Sequence, residues 1–514
     1  MIGRRSFLAG AAGALLLPGI VHAADGRPQV RTTLGPLRGV YEDGLAVFRG
    51  IRYGTAQRFR APQAPPVSRQ VIEANNFGPS AAQRGSRYQS SEDPLFLNVW
   101  TPEIRRGAGR PVMVYIHGGA YSSGSVADPL NDGHRLAAHG DVVVVTVNHR
   151  LNAFGYLYLA RLDQRFPDSG NAGQLDLILA LQWIRENIGG FGGDPSRVLV
   201  FGQSGGGAKI ATMMGMPAAR GLFHRAATMS GQQVTASGPL NATARARAYM
   251  TALRANSIDE LLRLPVEALV EGLTATDPII GGGVYFGPVL DMKWLTRHPF
   301  WPDANPQSNG IPMILGNTHD ETRGFFGPDH SKIVGLSWDN LAERMAPELR
   351  IDIHPEWVVS EYRRMFPAYS PEQIFFAATT AGRSWRGQVE ESDARARAGA
   401  PTWVYQLDYP SPVEPWRGAP HTLDIPLVFG TIAAPGSIAG TGPESLAVSD
   451  AMMNAFVAFA RTGNPNHPGL PRWPVHTLPE RQTMIFDRQP RVENDPRRAQ
   501  RELFARVPYI QPGT

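Results

Sequence analysis

The sequence has no cysteine, few lysines and, after its first residues, no long apolar run without charge. Without cysteine, the 514-residue chain can form no disulfide, thiolate nucleophile, Fe–S cluster or cysteine-ligated zinc site. A covalent nucleophile would therefore be an oxygen or nitrogen atom. Only three of the 50 basic residues are lysines, and the arginines are scattered, so we expect no nucleic-acid partner. The composition, with 42% hydrophobic and 18% charged residues, is typical of a globular protein with a large core.

The N-terminal segment has the pattern of a cleavable export signal. Arg4 and Arg5 precede a modest apolar stretch, which ends in small residues around Ala23, where a signal peptidase would cut. Paired arginines followed by Ser-Phe-Leu resemble the twin-arginine signal, whose route exports folded proteins. An ordinary secretory signal and an uncleaved anchor are the alternatives, but a run of about 15 apolar residues is shorter than the ~20 that span a bilayer. We expect residues 1–23 to be removed and the protein to be periplasmic or secreted, with no stable membrane anchor.

Short runs rich in Val and Ile alternate with helical patterns along the remaining chain. This alternation is typical of strands joined by crossover helices in a mostly parallel sheet. The elements predicted with most support are strands at 112–116, 141–147 and 197–201 and a helix at 175–188.

The chain shows no division into autonomous halves. No linker rich in Pro, Gly or Ser separates two parts of it, and no repeat of 20–50 residues is present. We therefore predict one α/β domain over 24–514, with a mostly parallel central sheet flanked by helices. Two excursions, at about 235–285 and 325–400, are expected to form a cap over one end of the sheet.

The sharpest local feature is a glycine-flanked serine between a predicted strand and a predicted helix. Gly202-Gln203-Ser204-Gly205-Gly206 matches the G-x-S-x-G pattern of a nucleophile elbow. Side chains at the outer glycines would collide with neighbouring strands, and Ser204 would be held in strained geometry with its hydroxyl exposed. The alternative is a phosphate-binding Walker loop, but Lys209 comes one residue too late and no Ser or Thr follows it.

A second glycine cluster follows the strand predicted at 112–116. His117-Gly118-Gly119-Ala120 resembles the HGGG-type loop, in which glycines let backbone N–H groups approach a substrate carbonyl. Together with the start of the helix after the serine, it predicts an oxyanion hole formed by the N–H groups of Gly118, Gly119 and Gly205. Either glycine cluster alone could be a turn that merely ends a strand. This alternative fits poorly when both clusters are present in this order along the chain.

A serine nucleophile needs a base, and the base needs an acid that orients it. In hydrolases with such an elbow the chain order is Ser, then Asp or Glu, then His. His421, His467 and His476 lie far enough downstream and outside the cap. We favour His421, because its loop leads into an apolar segment whereas the other two lie among surface-type residues. Asp320 and Glu321 both follow a strand-like segment, and the pattern alone does not choose between them.

These motifs, together with five further segments, resemble the type-B carboxylesterase family of the α/β-hydrolase fold. That family includes bacterial carboxylesterases, para-nitrobenzyl-esterase-like enzymes and cholinesterases, with neuroligins as non-catalytic relatives. The resemblance extends in order from about residue 30 to residue 510. The further segments are Phe48–Tyr53, Glu92–Val99, Val147–Leu151, Asn187–Pro195 and Trp473-Pro474.

The resemblance implies roles for individual residues. In the family's D-E-G motif the glutamate is the triad acid, which selects Glu321 over Asp320, with Thr322 in place of the glycine. The family's histidine motif aligns with His421. Ser230, in a Met-Ser-Gly segment, matches a family serine that lies against the triad acid; a plain turn serine is the alternative.

Two ion pairs are also implied by the resemblance. Arg58 should pair with Glu92, and Arg150 with Asp176, beneath the expected site. Such pairs need hydrogen bonds to offset desolvation, and loss of one partner costs about 3–5 kcal/mol. The family's E-D-C motif has Pro94 in place of the cysteine, so its disulfide is absent.

The sequence departs from the family pattern beside the nucleophile. Gln203 replaces the usual glutamate and Gly205 the usual alanine. Losing the carboxylate argues against a cationic, choline-type substrate. Aromatic residues are expected either near the acyl pocket or, more commonly, in the core; they are Phe286, Trp294, Phe325 and Phe326.

The resemblance therefore implies a serine hydrolase that cleaves small-molecule carboxylic esters through an acyl-enzyme, without a cofactor. An amidase, carbamate hydrolase or lactonase could use the same groups. A neuroligin-like binding protein is the alternative from another class, although such relatives have degenerate triads. We expect no metal at His319, Asp320 and Glu321, because consecutive side chains rarely converge on one ion.

Overall fold

The computed structural model describes residues 26–511 and Gly513. The predicted export signal, residues 1–23, lies outside the described residues. Within the described part, no helix is long and apolar enough to cross a membrane.

The described residues form sixteen strands and fourteen α-helices. The strands are β1 (Gln29–Thr32), β2 (Gly35–Arg38), β3 (Val40–Glu42), β4 (Leu45–Arg52), β5 (Ile72–Glu73), β6 (Ser80–Ala81), β7 (Ser90–Ser91), β8 (Phe96–Thr101), β9 (Arg110–Ile116), β10 (Val143–Val147), β11 (Gly193–Gln203), β12 (Arg225–Met229), β13 (Met313–Thr318), β14 (Thr402–Leu407), β15 (Gln482–Phe486) and β16 (Arg491–Asn494). The helices are α1 (His134–Gly140), α2 (Asn152–Tyr156), α3 (Ala172–Asn187), α4 (Gly205–Met214), α5 (Pro239–Ala252), α6 (Ile258–Arg263), α7 (Val266–Glu271), α8 (Leu341–Leu349), α9 (Pro355–Met365), α10 (Pro371–Thr380), α11 (Arg386–Arg397), α12 (Asp424–Phe429), α13 (Pro443–Thr462) and α14 (Arg498–Phe504).

Eleven of these described strands form one sheet, in the order β16-β15-β14-β13-β12-β11-β9-β10-β8-β4-β3. The seven strands β15-β14-β13-β12-β11-β9-β10 are parallel to one another. Antiparallel strands extend the sheet at both sides. The predicted α/β class, with a mostly parallel sheet flanked by helices, is confirmed.

The predicted elements are present with shifted ends. Strand 112–116 begins two residues earlier in β9, helix 175–188 begins three earlier in α3, and strand 197–201 lengthens at both ends into β11. Strand 141–147 begins later, at Val143 in β10, because Asp141 has φ 43° and ends α1 in a left-handed conformation.

Both faces of the sheet are covered, which explains the continuous apolar runs of its strands. Along β9, Val112, Val114 and Ile116 pack on the face that carries α3 and α4. Met113 and Tyr115 pack on the opposite face, which carries α1, α12 and α13.

The two excursions pack in apolar clusters separate from those on the two faces of the sheet, and the first cluster also includes Tyr121 and Ala208 from beside the elbow. Tyr249, Leu261 and Leu269 of α5–α7 pack in one cluster, and α8–α10 pack with α14 in another. Helix α11 joins the second cluster to the sheet, since Val389 packs in the cap and Ala394 in the main core. The cap therefore ends within α11, earlier than the predicted boundary near residue 400.

Candidate active site

Ser204 lies on a tight turn between β11 and α4. Its φ of 53° and ψ of −124° are sparsely populated for a residue with a side chain, as the sequence predicts. The Ser204 N–H donates to the carbonyl of Met229 at the end of β12, at 2.7 Å, which anchors the strained turn to the neighbouring strand.

The glycines around Ser204 are required by close backbone contacts. A Cβ atom at Gly206 would lie 1.9 Å from the Ile116 carbonyl oxygen, and one at Gly202 would lie 2.7 Å from the same atom. At Gly205, where the family usually has alanine, a Cβ would lie 1.8 Å from the Ala120 carbonyl oxygen. The loop after β9 therefore approaches α4 so closely that it leaves no room for a methyl group.

Glu321 and His421 meet just beyond the end of β13. The Nδ1 atom of His421 hydrogen-bonds the Oε2 atom of Glu321, whose side chain is fully buried. Its other oxygen, Oε1, accepts hydrogen bonds from Asn317 Nδ2 and the Thr318 N–H, both at 2.9 Å. Burial would raise the pKa of Glu321, but His421, Ser230 and the Thr318 N–H outweigh it, so the pKa lies below its usual range. The carboxylate is thus held in its ionised form.

The other candidates for acid and base lie elsewhere. Asp320 accepts from the Ala419 N–H at 3.0 Å and contacts His319 at 3.1 Å, so its carboxylate supports the loop before His421 and does not bond the imidazole. His467 contacts the Ala451 carbonyl, and His476 contacts a carbonyl at the start of β15. In the part of the chain that the structure describes, no three acidic or imidazole side chains are grouped as a metal site would require.

Gln203 contacts the second nitrogen of His421. The amide nitrogen of Gln203 lies 3.2 Å from His421 Nε2. Nδ1 faces a carboxylate and therefore donates, whereas Nε2 faces an amide N–H and therefore accepts. Within the described residues, the side-chain hydrogen bonds of His421 are those to Glu321 and Gln203, so Nε2 contacts Gln203 rather than Ser204 Oγ in this structure.

Ser204 and His421 line the same cavity, which has a volume of about 390 Å³. Gly119 and Gly205 also line it. Residues of the cap and the C-terminal segment complete the wall: Tyr285, Phe325, Arg350, Arg383, Ser384 and Tyr509.

The three predicted oxyanion donors surround the elbow. Gly119 has φ 90° and, like Gly205, faces the cavity. A Cβ at Gly118 would lie 3.3 Å from the Ser204 Cβ, so this residue packs directly beside the serine. Gly205 is the first residue of α4, so its N–H has no acceptor within the helix.

Of the four aromatic candidates, Phe325 lines this cavity in the described structure. Its ring centroid lies 4.8 Å from that of His421. Phe286 and Phe326 are buried in the two cap clusters. Trp294 packs against the main core and donates its indole N–H to Asp168. For these three residues the core interpretation is the correct one.

Lys209 is a site neighbour whose role sequence reasoning missed. It is fully buried, its Nζ donates to the Ala120 carbonyl at 2.8 Å, and it lies 4.9 Å from the Tyr121 ring centroid. Burial lowers its pKa to about 7. A lone lysine within the apolar helix α4 was the available signal, because a buried cation requires a specific partner.

Ser230 lies beside the acid, as the resemblance implies. Its backbone has φ 52° and its N–H donates to Gly316 in β13 at 2.7 Å. The buried Oγ helps to lower the pKa of Glu321, although its geometry falls short of a well-formed hydrogen bond.

Both predicted ion pairs are present. Arg58 contacts Glu92 through two nitrogens at 2.5 and 2.6 Å. Arg150 contacts Asp176 at 2.6 and 2.9 Å, and both side chains are buried. The fork geometry supplies the hydrogen bonds that offset desolvation.

The family of the chain follows from its match to a protein-family model. The sequence model described as "Carboxylesterase family" matches residues 26–504. The chain belongs to the carboxylesterase family. Carboxylesterases act on small-molecule esters, and the chain is accordingly a carboxylic-ester hydrolase.

Relatives of this carboxylesterase match over nearly their full length. It is 34% identical over 496 residues to para-nitrobenzyl esterase of Bacillus subtilis (strain 168), which covers 92% of this chain and 97% of the relative. It is 32% identical to phenmedipham hydrolase of Pseudarthrobacter oxydans, and this match covers 87% of this chain and 93% of the relative. A solved carboxylesterase of Geobacillus stearothermophilus superposes with a TM-score of 0.83 and 35% identity, covering 93% and 99%. These matches support the α/β-hydrolase architecture of the part of the chain that they cover.

Proposed function

We propose that Ser204, His421 and Glu321 form the catalytic triad of this carboxylesterase. The observation that carries the proposal is the His421 imidazole, which hydrogen-bonds buried Glu321 through Nδ1 and lines the same cavity as Ser204. Ser204 Oγ attacks the ester carbonyl while Nε2 accepts its proton. The protonated imidazole then gives this proton to the leaving alcohol, and water releases the acid from the acyl-enzyme by the same steps in reverse.

The oxyanion of each tetrahedral intermediate is stabilised by the N–H groups of Gly118, Gly119 and Gly205. Their positions around Ser204 support this assignment. Donors on a rigid turn and at a helix start need no reorganisation as the negative charge develops, which is why they lower the barrier.

Gln203 and Ser230 support the triad from either side. Gln203 holds the His421 tautomer through its amide hydrogen bond and yields Nε2 when the Ser204 hydroxyl donates there. Ser230 lies against the Glu321 carboxylate and favours its ionised form. Ser230 does not touch the reacting atoms, whereas Gln203 contacts the His421 nitrogen that takes the proton and is displaced from it by the Ser204 hydroxyl.

Replacement of the nucleophile tests the proposal. Ser204→Ala should lower kcat for a chromogenic short-chain ester by about 10⁴-fold or more, because it removes the hydroxyl that forms the acyl-enzyme. An organophosphate should label the wild type once and the variant not at all, as measured by mass spectrometry. Ser196→Ala, an exposed serine on the same strand, is the matched control and should retain full activity. Undiminished turnover by the Ser204 variant would contradict the triad.

Amides, carbamates and lactones are alternative substrates for the same groups. An ester and an amide with identical acyl chains separate these possibilities through the ratio of their kcat/KM values. A complete lack of turnover would instead favour the binding-protein alternative.

We also propose that the protein is periplasmic or secreted. Arg4 and Arg5, the apolar stretch behind them and the small residues around Ala23 support a twin-arginine signal. Replacing both arginines by lysine should leave the enzyme in the cytoplasm. The exported wild-type protein should begin near Ala24.

A further inference from the structure

Two arginines of the cap line the cavity that holds Ser204. Arg350 follows the last residue of α8, and Arg383 lies in a π-helical turn, Ala381–Trp385, between α10 and α11. Such turns are uncommon and are frequent at functional sites. Neither arginine belongs to a sequence motif. Both line the cavity only because of the tertiary structure.

Arg383 lies close to the proposed catalytic base. Its Cζ atom is 4.6 Å from the centroid of the Phe325 ring, and that centroid is 4.8 Å from the His421 ring centroid. A single aromatic ring therefore separates the guanidinium from the imidazole. In a substrate whose ester carbonyl lies at Ser204, a group that reaches Arg383 would be only a few bonds from that carbonyl.

The positive charge on this wall is incompletely neutralised. Arg383 contacts Glu348 at 3.0 Å, but Glu348 also pairs with Lys332. Within the described residues, Arg350 has no carboxylate within ion-pair distance and no side-chain hydrogen bond. Burial, followed by the like charge of Arg350, lowers the pKa of Arg383 to about 10, so the two guanidinium groups act on each other.

None of the described residues that line the cavity is acidic. Glu321 does not line it and is already bonded to His421, and position 203 carries an uncharged amide. Two like charges beside one cavity repel each other, so a bound anion would stabilise the arrangement. Guanidinium groups match carboxylates in shape and in hydrogen-bond geometry.

We propose that Arg350 and Arg383 bind an ionised carboxylate on the substrate, so that this enzyme prefers esters carrying a second, free carboxyl group to neutral esters. The inference rests on the proposed function, because it requires the ester carbonyl to lie at Ser204. The substrate class is thus the half-ester of a dicarboxylic acid or the ester of a hydroxy acid. The bound carboxylate takes no part in bond formation and only positions the ester.

Matched ester pairs test the proposal and identify the side that carries the carboxylate. Mono-p-nitrophenyl adipate is compared with p-nitrophenyl hexanoate, and 4-(butanoyloxy)benzoate with phenyl butanoate. In at least one pair, kcat/KM for the anionic ester should exceed that of the neutral ester by about tenfold or more at low ionic strength. Added salt should lower the anionic value and leave the neutral one unchanged.

Variants of the two arginines supply the decisive comparison. Arg350→Gln and Arg383→Gln should each lower the anionic-to-neutral ratio by about 10- to 100-fold, mainly through KM. Lysine at either position should preserve part of the preference because it keeps the charge. The matched control is Arg364→Gln, an exposed arginine of the same cap, which should leave the ratio unchanged.

The remaining outcomes distinguish failure of the carboxylate site from failure of the triad. An unaltered ratio in the glutamine variants, or an equal loss on both esters of a pair, would overturn the carboxylate site. Ser204-dependent turnover of the neutral esters would leave the proposed function standing in either case. Persistent turnover of both esters by Ser204→Ala would instead overturn the triad. If Arg383→Gln fails to fold after losing its contact with Glu348, Arg350→Gln and the salt dependence still test the carboxylate site.

Discussion

At the scale of single residues, the two nitrogens of His421 have different partners. Nδ1 donates to an ionised, fully buried Glu321, whereas Nε2 accepts from Gln203. The carboxylate selects the tautomer, and the glutamine adds no charge where the family usually has a glutamate. Asp320, the immediate neighbour of the acid, instead accepts from the Ala419 N–H, in the loop that carries His421.

Substitutions at the two adjacent acids should therefore change kcat to different extents. Glu321→Gln should lower kcat by about 10³- to 10⁴-fold with little change in KM, because the neutral amide no longer stabilises the imidazolium. Asp320→Asn, the matched control one residue away, should change kcat by less than about tenfold. Steady-state kinetics on one ester measure both. Equal losses in the two variants would contradict the assignment of the acid.

At the scale of elements, the site depends on how closely β9, β11 and α4 approach one another. The Ile116 carbonyl in β9 leaves no room for a side chain at Gly206, and the N-terminus of α4 sits against the loop that follows β9. Lys209, from the first half of α4, donates to that loop from below. Strand, elbow and helix thus hold the nucleophile and the proposed oxyanion donors as one unit.

Adding one methyl group to this unit should disrupt it. Gly206→Ala places a Cβ 1.9 Å from the Ile116 carbonyl oxygen, and rigid backbone on both sides must move. We expect the free energy of unfolding to fall by about 3 kcal/mol or more. The midpoint of thermal unfolding checks this. Gly189→Ala, where the added Cβ meets nothing within 4 Å, should leave the midpoint unchanged.

At the scale of the whole molecule, the site is enclosed by segments far apart in the chain. The elbow belongs to the sheet, Arg350 and Arg383 to the cap, and His421 to the loop before α12. Asp424, at the start of α12, is fully buried, and its Oδ2 accepts from the Tyr405 hydroxyl at 2.8 Å. Burial, followed by the nearby charge of Glu321, raises the pKa of Asp424 to about 7.

This buried carboxyl group should make stability depend on pH. Between its unfolded pKa of about 3.9 and its folded pKa of about 7, the folded state holds a proton that the unfolded state has released. The contribution of Asp424 to the free energy of unfolding is therefore greatest at low pH and is lost as pH rises toward 7.

Asp424→Asn should remove this dependence. Relative to the wild type, its free energy of unfolding should rise between pH 5 and pH 8, by at most about 4 kcal/mol over the whole titration. Urea unfolding at both pH values measures the change. Asp329→Asn, at an exposed position, should show no such trend. An Asp424 variant that follows the wild type at both pH values would show that this carboxyl group does not titrate on unfolding.

The sequence by itself determined the features that depend on local spacing. The G-x-S-x-G turn places Ser204 between a strand and a helix, and the Val- and Ile-rich runs predict a parallel sheet covered on both faces. Strand ends were shifted where a single backbone conformation, such as that of Asp141, decides the boundary. Resemblance to a family supplied the acid, Glu321, which spacing left open.

Only the tertiary structure decided which distant groups share one environment. Glu321 and His421 are 100 residues apart, and Arg383 lies nearly 180 residues beyond Ser204, so no local pattern links them. Their contacts arise because the carboxyl ends of parallel strands gather at one edge and the cap folds over that edge. Desolvation then sets the pKa values of Lys209 and Asp424, and burial is a property of the folded molecule rather than of its sequence spacing.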